Sequence, residues 1–269
     1  MDPEQDEIRR QVARTMLDAL KDTNFVLTGA SALMEHGLIH RPTKDVDLFT
    51  IGEEGSRVSD AIPLIREALS EQGASMAVGR EFPGFVDGRI SWGDYEIGFD
   101  LGADWRAYPA VRMEIGPVLD VRDSVGSKVA ALYSRSEARD YMDVAEIVLD
   151  GRWSPDEIIE MGISNDPGLD KQMLATVLHP QNSRFPDTED FQSMGFDRSS
   201  ELSMRDALTV LRYAALGEHV DLEAVEASRV AMPGRRQSLR EQLAHPSSHA
   251  SPRPKVPGAT RGKDSGLER

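Results

Sequence analysis

Apolar positions along the chain change their period partway through, and that change divides it. Ile8, Val12, Met16, Leu17 and Leu20 recur at helical spacing, so the pattern predicts an amphipathic helix over 4–21. Short apolar runs follow: a strand is expected over 24–28, a helix over 30–35, a strand over 46–49 and a longer helix over 58–72. Strands are expected at 76–78, 85–91 and 95–101, the last two joined by the turn Trp92-Gly93-Asp94. After Val121 the period becomes helical, with helices expected over 124–134, 139–149 and 202–216. Another should begin at Ser154-Pro155-Asp156-Glu157, with Ser at the N-cap, Pro at N1 and Glu at N3. The expected organisation is a mixed α/β domain over 1–120, a helical subdomain over 121–231 and a tail over 232–269, with no internal repeat. The tail is rich in Pro, Ser, Gly and charge and poor in aliphatic residues, so it is expected to be disordered.

Charge sharpens that division. From Met232 to Arg269 the chain carries eight Lys or Arg and three Asp or Glu, out of 31 and 46 in all. The body is therefore near −20 and the tail near +5. An acidic body argues against a broad phosphate-binding surface but leaves room for a small basic cleft. Zero cysteines removes disulfides, thiolate metal sites and cysteine nucleophiles, leaving Asp, Glu and six scattered His as metal ligands. Any metal is expected to be a hard cation held by oxygen. No run reaches the roughly 18 apolar residues of a membrane span, and MDPEQDEIRRQ lacks the apolar core of a signal peptide, so a cytoplasmic location is expected.

Candidate chemistry concentrates in FVLTGASALMEHGLIHRPTKDVDLFT, Phe25 to Thr50. Residues two apart in a strand point to the same side, so Asp45 and Asp47 project together while Val46, Leu48 and Phe49 are left for the core. Two such carboxylates repel unless solvent screens them or a cation lies between them, and a divalent metal resolves the conflict. Two-metal phosphoryl-transfer sites often add a third carboxylate from a neighbouring strand. In YEIGFDLG, Ile97, Phe99 and Leu101 alternate to one side and leave Asp100 on the other, with Glu96 as the reserve. Upstream, Gly29-Ala30-Ser31 stands where a strand turns into a helix, so a phosphate can approach backbone N–H groups, with the Ser31 hydroxyl as a further donor. Alone, a DxD in a strand usually marks a solvated edge and a Gly-Ala-Ser turn a tight helix start; together, in strand, turn, helix and strand order, they favour a site.

LTGASALMEHGLIHRPTKDVDLF resembles the first motif of the DNA polymerase β superfamily of nucleotidyltransferases, and with Arg41 and Thr43 before Asp45 it is similar to the AbiEii/AbiGii toxin family. A second block, SKVAALYSRSEARDYMDVAEIV, resembles that family's later motif and carries over Lys128, Arg139, Asp140 and Asp143. The resemblance covers about residues 20–150 and departs at Ala30, where relatives often have Gly or Ser. It implies an α+β fold: a polymerase β-like nucleotidyltransferase domain with a mixed sheet, then a helical subdomain. It also implies an NTP co-substrate and Mg²⁺, or alternatively Mn²⁺, on Asp45 and Asp47, with those two and Lys128 catalytic; Asp100, placed by strand phase, joins them as third metal ligand or catalytic base. Nucleotide-binding candidates are Gly29, Ala30, Ser31, Arg41, Lys128 and Asp140.

Side-chain chemistry allows more than one role for several of these. Lys128 is either a point charge for triphosphate oxygens or an ordinary surface lysine; Asp140 is either a helix N-terminal acid or an organiser of Lys128. Arg41 pairs with a carboxylate or phosphate, or marks a turn, and His36 and His40 read as non-catalytic. The activity implied is transfer of a nucleoside monophosphate to an acceptor hydroxyl by the toxin of a toxin–antitoxin or phage-defence pair, with tRNA as acceptor and a cognate antitoxin as partner. The sequence does not choose among ATP, CTP and GTP. Three alternatives stay open: a small-molecule, aminoglycoside-like acceptor, a manganese-dependent DxD glycosyltransferase, and a non-catalytic nucleotide-binding module.

Overall fold

The structure, a computed structural model, describes residues 3–231; the basic tail from 232 lies outside the described residues. One face of the first helix, α1 (Pro3–Ala19), buries Val12, Ala13, Met16 and Leu17 against the sheet, as its spacing requires. A two-residue strand, β1 (Val26–Leu27), leads through α2 (Gly29–Glu35) to β2 (Asp45–Ile51). A 3₁₀ segment (Gly52–Asp60) and α3 (Ala61–Glu71) then precede the meander β3 (Ser75–Phe82), β4 (Phe85–Trp92) and β5 (Tyr95–Asp104). Two short strands, β6 (Val111–Met113) and β7 (Gly116–Val118), complete a seven-stranded mixed sheet of order β3-β4-β5-β2-β1-β7-β6. β2 runs parallel to β5 and β1 to β7; the other pairs are antiparallel.

Strands at 111–118 were not expected. Each is only three residues long, too short for an alternation to register, and they exist because Leu27 offers Val118 a partner. The meander strands run further than their apolar cores suggest, since pairing continues through polar positions such as Glu81 and Asp104.

The remaining chain is helical: α4 (Val121–Ser134), α5 (Ala138–Asp150), α6 (Pro155–Asn165), α7 (Lys171–Val177), α8 (Thr188–Ser193), α9 (Arg198–Ala215) and α10 (Leu222–Ala231). α6 starts as its sequence signals, with the Ser154 and Glu157 side chains each accepting from the other's backbone N–H. α7 and α8, too short for a periodic signature, went unseen. Two apolar cores result. One joins α1, α3 and the sheet; the other joins α4 to α9 and also takes Ala30, Leu33, Leu38 and Ile39. Thus α2 is packed on both sides, with Ala32 in the sheet core and Leu33 in the helical one. The fold is α+β, as expected. Among the described residues no helix is long and apolar enough to cross a membrane.

Candidate active site

On β2 the period of two sets Val46, Leu48 and Thr50 into the core, and Asp45, Asp47 and Phe49 onto the opposite face. Phe49 therefore does not serve the core beside Leu48. It shares the carboxylate face, where its ring lies over Gly102. The parallel register places Asp47 opposite Asp100 and Asp45 opposite Gly98. All three carboxylates line one cavity of about 240 Å³. Glu96 does not; it sits at the far end of β5 with Arg89, and the two are largely exposed.

Two close approaches orient the first pair. Gly29 has φ +60°, and a Cβ there would fall on the Asp47 carboxylate. A Cβ on Gly98 would likewise fall on the Asp45 carboxylate. Asp47 therefore leans towards the start of α2 and Asp45 over β5. Burial, then the charges of Asp100 and Asp45, push the Asp47 carboxyl up to about 7. The Asp100 carboxyl is raised by burial and by Asp45 and Asp87.

Gly29 and Ala30 line the cavity; Ser31 does not. Its side chain is fully buried, accepting from the Arg9 guanidinium at 2.7 Å and donating to the Asp45 carbonyl at 3.2 Å. Two positions along a helix is a rotation of about 200°, which turns residue 31 away from the cavity that residue 29 faces. The Ser31 hydroxyl is thus no phosphate donor but part of a buried link from α1 through α2 to β2, in which Arg9 also pairs with Asp6.

Across the cavity stands a cationic wall. Lys128 of α4 is not a surface lysine: it is 6% exposed, with Nζ 2.9 Å from Asp143 and 3.3 Å from Asp140. Arg41 donates to both oxygens of Asp143, and Arg135 to both of Asp140 at 2.8 Å. Asp140 and Asp143 are wholly buried beneath these cations and do not line the cavity, so Asp140 holds Lys128 and Arg135 in place instead of meeting a nucleotide. Burial opposes ionisation of Asp140, yet hydrogen bonds from Arg135 and the charge of Lys128 keep its carboxyl below the usual range. Burial likewise opposes the Arg41 charge, and Asp143 more than offsets it, raising the guanidinium. Arg139 lines the cavity too, and its Nε is buried without a hydrogen bond among the described residues.

Several lining residues escaped the sequence reading. Arg135 stands just before Ser136, whose φ of 52° turns the chain from α4 into α5 and brings the guanidinium back onto Asp140. Trp105 and Arg106, after β5, form part of the rim, and Trp105 is 52% exposed. An aromatic-basic pair directly after the Asp100 strand was the one available signal. His36 and His40 do not reach the cavity; they bond the Leu119 carbonyl and Glu146.

Among the described residues no three His, Cys, Asp or Glu side chains are arranged to enclose a metal ion. In kind, the donor set suits a hard cation: three carboxylates on adjacent strands, no nitrogen or sulfur, and a mutual repulsion that positive charge relieves.

A mixed sheet with paired aspartates facing a helical, cation-bearing half is an arrangement suited to nucleotidyl transfer. The model of the family "Nucleotidyl transferase AbiEii toxin, Type IV TA system" matches residues 10–161, and the chain belongs to this family. A candidate nucleotidyltransferase from H. pylori shares its fold with a TM-score of 0.52 at 14% identity, over 82% of this chain and all of that one. The JHP933 protein from Helicobacter pylori aligns with a TM-score of 0.50 at 15% identity, over 87% of this chain and 99% of its own. MenT4, a nucleotidyltransferase toxin from Mycobacterium tuberculosis, aligns with a TM-score of 0.47 at 14% identity, over 88% and 92%. No curated protein matches the sequence.

Proposed function

We propose that this nucleotidyltransferase moves a nucleoside monophosphate from an NTP to an acceptor hydroxyl on tRNA, with divalent metal, as the toxin of a pair that includes a cognate antitoxin. The supporting observation is the register of Asp47 with Asp100, beside Asp45, in one cavity with Arg41, Lys128, Arg135 and Arg139. Carboxylates and cations this close divide the work of phosphoryl transfer. Gly29 and Ala30 give the triphosphate close backbone approach, while Lys128 and Arg139 offset the negative charge that shifts towards the leaving pyrophosphate. Asp100, as base or as third metal ligand, faces the acceptor hydroxyl, which loses its proton as its oxygen bonds to the α-phosphorus and the bond to pyrophosphate breaks. Asp45 and Asp47, with Asp100 where it serves as third ligand, would hold Mg²⁺ or Mn²⁺, which would supply Lewis-acid stabilisation of the phosphoryl oxygens. Asp140 and Asp143 act through Lys128, fixing its position and its charge.

The test is label transfer. With each α-labelled NTP, Mg²⁺ and total tRNA, the wild-type chain should label RNA, and either EDTA or Asp47→Asn should stop it. RNA labelling that survives both changes would overturn the assignment.

A further inference from the structure

The carboxylates are reached from two directions. The cavity beside α2 and α4 holds all three, while an open groove of about 610 Å³ over β3, β4 and β5 shares only Asp45 and Asp100 with it. Asp47 is absent from the groove because it leans towards Gly29, whereas Asp45 leans over Gly98 into it.

Strand register sets out what lies on this face. Asp45, Gly98, Arg89 and Ala77 form one cross-strand row, and Asp47, Asp100 and Asp87 the next. A third row, Phe49, Gly102, Phe85 and Phe82, runs alongside from the cavity to the β3–β4 hairpin. Phe82 is 57% exposed, and the Arg80 and Arg89 side chains are 70% and 74% exposed. Among the described residues Arg89 pairs with exposed Glu96 and Arg80 with the mostly buried Asp87, and the exposed guanidiniums have donors left to offer a phosphate. The exposed Phe82 ring, with half-buried Phe85 beside it and arginines nearby on the same sheet, matches the way single-stranded nucleic acid is held, by stacking on aromatic side chains with phosphates on nearby cations.

We propose that this sheet face is the acceptor platform: a single-stranded RNA end lies across β3–β5, stacked on Phe82 and Phe85, with its terminal hydroxyl delivered through the groove to Asp45 and Asp100. The NTP occupies the cavity on the α2 side, so hydroxyl and pyrophosphate stand on opposite sides of the carboxylates. This rests on the nucleotidyl transfer proposed above and adds where the acceptor binds.

The experiment uses the full chain and a fluorescein-labelled single-stranded RNA, in binding by anisotropy and in label transfer to the same RNA. Phe82→Ala should raise the RNA Kd and the acceptor KM about tenfold, leaving kcat at saturating RNA and the KM for NTP unchanged. Phe82→Trp should restore binding. Ala77→Trp, which fills the groove from an exposed position, should block transfer while NTP binding stays intact. Unchanged RNA Kd in both Phe82→Ala and Ala77→Trp overturns the platform, as does wild-type protein that binds no RNA. Label transfer by wild type with unaffected variants sinks the platform alone. Absent transfer with Phe82-dependent RNA binding sinks the catalytic reading and keeps the platform.

Discussion

Arg41, in the loop before β2, holds Asp143 of α5 across 102 residues of sequence, its guanidinium donating to both carboxylate oxygens. The same carboxylate receives the Lys128 ammonium at 2.9 Å. One buried acid therefore ties the aspartate-bearing strand to the helix that presents the lysine. Asp143→Ala leaves two buried cations short of a partner, and a loss of about 3–5 kcal/mol is expected in chemical denaturation. A loss under about 1 kcal/mol would mean that these pairs do not hold the two halves together. Arg41→Lys should also destabilise, since an ammonium cannot make the two-pronged contact to Asp143.

Lys128→Ala should lower kcat by about a hundredfold or more, as expected for loss of a preorganised charge at a phosphoryl-transfer site. Lys128→Arg should rescue it poorly, because a larger, planar guanidinium does not reproduce the compact ammonium that reaches both Asp140 and Asp143. Initial rates at saturating Mg²⁺ and NTP decide the matter. Near-wild-type rates in Lys128→Ala would confine the chemistry to the strand side.

Asp47 is expected to make the protein without ligands less stable as pH rises. Its folded pKa of about 7 exceeds its ordinary 3.8, so native protein holds a proton that unfolded chain releases. Stability from this group is full below pH about 4 and is lost progressively up to about pH 7, each pKa unit being worth about 1.4 kcal/mol. Asp47→Asn removes the charge, so this variant should melt above wild type at pH 8 without divalent cation, with the gap closing near pH 4. Parallel melting curves across that range would show that Asp47 is not strained by its neighbours.

Ser31→Ala separates a structural hydroxyl from a phosphate donor. The change strips Arg9 of a buried acceptor, so a destabilisation of about 1–3 kcal/mol is expected while the KM for NTP stays at its wild-type value. A large rise in that KM with unchanged stability would return Ser31 to the nucleotide.

Much of the site was legible because its chemistry is local. Period-two alternation in DVDLF and YEIGFDLG placed Asp45, Asp47 and Asp100 on the solvent side of their strands, and small residues at Gly29-Ala30 marked where the chain turns beside them. Capping chemistry at Ser154 and Glu157 was legible for the same reason, since every partner lies within one helical turn. What the sequence by itself determined was thus the period of each element and which side chains leave the core.

Tertiary structure decided which elements lie side by side and in what register. No local pattern sets Asp47 opposite Asp100, because a parallel pair is joined only through the long connection that carries α3, β3 and β4. Nor does one reveal that Ser31 faces Arg9, that Arg135 turns back onto Asp140, or that Phe49, Phe85 and Phe82 share a row. Each depends on a partner from a distant segment, and a side chain's role passes from exposed charge to buried clamp according to what packs above it.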